Sequence, residues 1–142
     1  MKKEEKEISE IEKKKEYLRS YERVVRQMER SELRIKEIRL NKMCPSVMND
    51  GMPHTSSQND LSAYAVLLEQ EEKRYMKRRY QRIQKCKEIM NRIELLPDEN
   101  EKDVLMYRYI KLMKWEDICV KMGFSRKWIH KLHSKALNNF EI

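Results

Sequence analysis

Apolar residues recur at helical spacing through the first third of the chain: Ile11, Leu18, Tyr21, Val25, Met28 and Ile35. They form a heptad-like stripe, interrupted by Lys14 and Glu32. No glycine or proline breaks the run from about Glu10 to Lys42, which predicts a helix over about 10–42, roughly 50 Å long at 1.5 Å per residue. A second stripe, Leu61, Tyr64, Leu68, Tyr75, Ile83, Cys86, Met90, Ile93 and Leu96, predicts a helix over about 60–96. Asn59 or Asp60 is the expected cap and Pro97 the expected stop. Two such helices joined by one loop, 43–59, fold back most simply as a long antiparallel, coiled-coil-like hairpin. Tyr17, Val24 and Ile38 flank the first stripe, and Met76 and Tyr80 the second. A face that wide calls for a further partner, either the C-terminal segment or a second copy in a homodimer.

The pattern changes at Pro97. Asp98-Glu-Asn-Glu101 has the spacing of a capping box and predicts a short helix carrying Val104, Leu105, Tyr109 and Ile110. From Trp115 to Leu137 the residues fit a helix-turn-helix. Gly123 stands where the first helix must end in a left-handed turn, which glycine enters without steric cost. Cys119, four residues earlier, is small enough for a close helix crossing. Ile118, Met122, Phe124, Ile129 and Leu132 supply the apolar contacts, and Ser125 is a good N-cap for a second helix over 126–138. Trp115 opens the first helix and is expected in the core. The chain is thus expected to be all-α, with a helical hairpin over 1–97 followed by a three-helix helix-turn-helix domain over 98–142.

Charge sharpens this reading. The 142 residues carry a formal net charge of +8, unevenly spread. Residues 1–42 mix 14 basic with 10 acidic side chains, as a solvated helical face does. Residues 123–140 carry Arg126, Lys127, Lys131 and Lys135 with no acid, on the helix that would enter a major groove. Such a surface suits a polyanion, because neutralising phosphates releases counterions. Arg126, Lys127 and Lys131 are the expected base contacts. Ser125, Trp128, His130, Ser134 and Lys135 are expected to support them or touch phosphate, Trp128 either stacking outward or burying inward. Lys111 and Lys114 are expected to reach the backbone from the other side.

Little else competes. Cys44, Cys86 and Cys119 are odd in number without CxxC spacing, and read as reduced thiols of a cytoplasmic protein. No apolar run approaches a membrane span, and no apolar segment of a secretory signal follows Met1. His130 and His133 stand three apart, but no cysteine or carboxylate nearby completes a metal site. His54 is a lone loop histidine. No phosphate loop, HExxH or GxSxG is present, so neither an enzyme nor a cofactor is expected.

Asp103-Val-Leu-Met-Tyr-Arg-Tyr109, Trp115-Glu-Asp-Ile118, Gly123-Phe-Ser-Arg126 and Ala136-Leu137 together resemble region four of bacterial sigma factors, the helix-turn-helix domain that reads the −35 promoter element. In that family the residues after the cap, and one a turn later, touch bases, which implies that role for Arg126, Lys127 and Lys131. The chain carries Lys127 where primary sigma factors have an acid and Trp128 where they have a basic residue, which argues against a −35 consensus target. Gly51-Met-Pro-His54 and Asp60-Leu-Ser-Ala-Tyr64, with the long helices, are similar to small prophage regulators of Gram-positive bacteria related to ArpU- and RinA-type late transcription regulators. The resemblance implies a phage transcription regulator; double-stranded DNA is the expected partner and RNA polymerase a further candidate. Two other readings are a small terminase-like packaging subunit and a protein-interaction module acting on the polymerase without DNA.

Overall fold

The structure, a computed structural model, describes residues 1–43 and 57–142, with side chains over 1–41 and 61–142. The expected loop, with Cys44 and His54, lies almost wholly outside the described residues. Among those described, all regular structure is helical: α1 (Lys2–Met43), α2 (Ser57–Ile93), α3 (Glu99–Leu105), a π-helical segment (Met106–Ile110), α4 (Trp115–Met122) and α5 (Arg126–Asn139). None of these helices is long and apolar enough to cross a membrane.

Both long helices differ from expectation at their ends. α1 begins at Lys2 rather than near Glu10, with Glu4 and Glu5 in the first turn, where negative charge complements the helix dipole. α2 begins at Ser57, so Asn59 and Asp60 lie inside the helix rather than at its start. It ends at Ile93, short of Pro97. The chain then tightens, Leu95 N–H donating to Arg92 O at 3.2 Å and Leu96 N–H to Ile93 O at 3.0 Å. That turn leaves Leu95 81% exposed and buries Leu96.

The chain divides into two compact units, one of residues 1–25 with 82–142 and the other of residues 26–81. The units do not part at Pro97. In the first unit a single core joins Leu18 and Tyr21 of α1, Ile89 and Ile93 of α2, and Val104, Leu105, Tyr109, Ile118, Ile129, Ala136, Leu137 and Phe140. A buried aliphatic or aromatic side chain contributes about 1.5–3 kcal/mol, so the C-terminal helices draw much of their stability from α1 and α2. Tyr17 belongs here too. Its ring lies 6.1 Å from Phe140 and its hydroxyl donates to Glu88 Oε1 at 2.6 Å. The wide face of α1 therefore has the C-terminal segment as its partner at this position.

Polar groups complete that core. Lys14, which interrupts the apolar stripe, donates from Nζ to Leu137 O at 2.9 Å and Asn138 O at 3.3 Å, satisfying carbonyls at the end of α5. Asp98 caps α3 by accepting from Asn100 N–H at 3.0 Å. Glu101 does not close a capping box. It is fully buried and accepts from Asn139 Nδ2 at 3.0 and 3.2 Å, tying α3 to the end of α5.

The second unit is thinly packed. Ile35 is its one buried hydrophobic residue among those described, while Leu33, Leu40, Val66, Leu67, Met76 and Tyr80 are exposed. Ion pairs link its helices: Arg39 to Glu72 at 3.0 Å and Arg34 to Glu71 at 3.7 Å.

Candidate nucleic-acid interface

Local chemistry sets the α4–α5 connection. Gly123 ends α4 at φ 70°, ψ 30°, in the left-handed region, and its N–H donates to Cys119 O at 2.9 Å. Phe124 N–H reaches the same carbonyl at 3.2 Å. Ser125 then takes an extended conformation, and its hydroxyl accepts from Trp128 N–H at 3.2 Å, so α5 starts at Arg126. Ile118 and Ile129 are fully buried and Leu132 nearly so.

With those residues turned inward, the candidate contacts of α5 face outward. Ser125, Arg126, Lys127, Trp128, His130, Lys131, Ser134 and Lys135 are all exposed. Trp128 is 51% exposed, its ring edge-on to Phe124 at 6.3 Å, so it is a surface aromatic. Lys127, His130, Lys131, Ser134 and Lys135 line one shallow concavity along α5. Asn138, one turn further on, joins them and was not singled out from sequence. Lys135 is not wholly free, since Nζ lies 3.8 Å from Glu101 Oε1. Lys111 and Lys114 are exposed ahead of α4. Lys114 directly precedes Trp115, whose ring lies 4.9 Å from the His130 ring.

Trp115 is half-buried rather than a full core residue. Its ring meets His133 edge-on at 4.8 Å, and the Arg108 guanidinium lies 4.6 Å above it. His133 is buried, and its Nε2 shares a 2.8 Å hydrogen bond with the Tyr109 hydroxyl. Burial, with the charges of Lys15, His130, Arg108 and Arg19, pushes the His133 pKa down to about 4. Burial also raises the Tyr109 hydroxyl above its ordinary value. Among the described residues no group of three or more His, Cys, Asp or Glu is placed to hold a metal. Cys86 and Cys119 are free thiols, both half-buried.

Sequence reasoning missed the basic side chains that α1 brings to this region. Lys15 and Arg19 line a cavity with Arg108, Trp115, His130 and His133. No local signal marks them, because α1 reads as an evenly charged solvated helix and the convergence is tertiary.

A family model described as a protein of unknown function, DUF1492, matches residues 44–141, which include α2, the turn at Gly123 and all of α5. The chain belongs to the DUF1492 family. No curated protein matches the chain, and no solved structure does. DUF1492 membership thus covers the candidate interface and leaves α1, with Lys15 and Arg19, outside the matched segment.

Proposed function

We propose that this DUF1492 protein binds double-stranded DNA through α5, with α4, the Gly123 turn and α5 acting as a helix-turn-helix, and that it regulates transcription of phage or mobile-element genes. The observation that carries the reading is the outward face of α5. It offers four cationic side chains, two hydroxyls, His130, Asn138 and an exposed tryptophan, with no acid between Gly123 and Phe140. That inventory supplies bidentate base contacts from Arg126, Lys127 or Lys131 and phosphate contacts from Ser125, Ser134 and Lys135. The resemblance to sigma region four supports the same assignment, with Lys111 and Lys114 on the neighbouring strand.

Selection of bound sequences from random duplex with the full chain tests the binding. A recovered consensus placed before a reporter gene tests regulation. The reading predicts enrichment of a defined site and altered reporter output on co-expression. A pool that stays random after repeated rounds contradicts sequence-specific binding.

A second reading applies to residues 26–81 and rests on a separate observation. Leu33, Leu40, Met76 and Tyr80 are each more than half exposed, which favours a protein contact there, such as RNA polymerase or a second copy of the chain.

A further inference from the structure

Beside α5 lies a cavity of about 400 Å³ bounded by α1, the π-helical segment and α5. We propose that it is a binding site for a phosphate group, held by Lys15, Arg19 and Arg108 against a wall of Trp115, His130 and His133.

The charge balance favours an anion. Three permanent cations line the space against one acid, Glu22; outside the lining, Glu12 pairs with Lys15 at 2.9 Å. Cations from two separate elements, two of them planar guanidiniums, suit the several oxygens of a phosphate better than the two of a carboxylate. Arg108 is already oriented. It donates from Nη1 to Met113 O at 2.9 Å and stacks on Trp115, leaving further N–H donors for a ligand at little ordering cost.

The backbone is unusual at the same place. Arg108 and Tyr109 belong to the π-helical segment, closed by Lys111 N–H to Met106 O at 2.9 Å. Leu112, also on the cavity wall, has φ 55°, the one non-glycine residue at positive φ among those described. π-Helical turns and strained residues concentrate at functional sites, because ordinary packing does not favour them. Burial first, and then the nearby Lys15, His130, Arg108 and Arg19, disfavour the cationic form of His133, in keeping with the cations that line the cavity. Its volume falls within the range of small-molecule sites.

His130 and Ser134 belong both to this cavity and to the exposed face of α5. The phosphate therefore has two sources, a strand of a duplex lying on α5 or a free phosphorylated small molecule. The site itself does not require the duplex reading.

The test uses the full chain, isotope-labelled, with the Trp115 indole and the His130 and His133 rings followed by NMR at pH 7 and constant ionic strength. One arm adds inorganic phosphate, with chloride as the control; the other adds duplex in phosphate-free buffer. Saturable shifts with inorganic phosphate identify the free ligand, and shifts with duplex alone identify the strand. In whichever arm responds, Arg19→Gln and Lys15→Gln should each weaken binding at least fivefold. Arg19 is exposed, so its replacement leaves the core intact. Signals unmoved in both arms, or variants that bind like the parent chain, overturn the site. Duplex binding without these shifts, when phosphate is silent too, sinks only the pocket; phosphate binding without duplex affinity sinks only the proposed function.

Discussion

His133 and Tyr109 meet at 2.8 Å in the interior of the first unit, joining the middle of α5 to the π-helical segment. The contact holds α5 by its inner face while His130, three residues earlier, stays exposed. It also makes the unit sensitive to acid.

The His133 pKa in the folded chain is about 4, against an ordinary value of 6.5. A histidine held below its unfolded value stabilises the fold fully above pH 6.5, and that contribution drains away as pH falls toward 4. A 2.5-unit depression corresponds to about 3 kcal/mol. Burial is the main cause, and Lys15, His130, Arg108 and Arg19, from three elements, add to it in keeping the cationic form unfavourable. Urea unfolding at pH 7 and pH 4.5 should show stability falling over this window. His133→Phe should flatten the slope, whatever its effect on stability at pH 7.

The turn at Gly123 offers a cleaner measurement. A Cβ built there meets no atom within 4 Å, so Gly123→Ala meets no clash, and its cost is the left-handed backbone alone. The expected loss is about 1–2 kcal/mol. A neutral or stabilising result would mean the turn is not held at φ 70° in solution.

The signals that were legible in the sequence are local ones. Gly123, Ser125 and Asp98 mark helix ends through chemistry contained within a few residues, and they do so in the structure. Trp115 and Arg126 open α4 and α5 at the expected positions. The phase of α2 was less readable. Ile83 and Leu61, expected on the apolar stripe, are about half exposed, while Ile89, outside it, is fully buried. Over so long a helix a heptad repeat drifts relative to 3.6 residues per turn, and packing against α3–α5 resets the buried face. The π-helical segment, the left-handed Leu112 and the basic contribution of α1 left no sequence signal, because each is imposed by tertiary contacts.

Sharing of the core leads to a prediction about dissection. Residues 98–142 alone lose Leu18, Tyr21, Ile89 and Ile93, all of which pack in the core against these helices. A fragment of about 45 residues is already near the lower size for independent folding. It should show little cooperative unfolding by circular dichroism, whereas a chain in which 26–81 is replaced by a short linker, retaining 1–25 and 82–97, should unfold cooperatively. In the full chain, amide exchange should be faster in 26–41 and 61–81 than in the inward face of α5, since among these described residues Ile35 is the one buried hydrophobic side chain.

The salt dependence of duplex binding bears most directly on the central claim. If about five basic groups contact phosphates, log affinity should fall against log salt with a slope of roughly −4 to −5. Arg126→Ala and Lys131→Ala should each cost about 1–3 kcal/mol on a selected site and blur its preference, while Lys114→Ala should weaken selected and random duplex alike. A slope near zero, or no affinity for any duplex at low salt, would contradict the assignment of α5 as a DNA-reading helix.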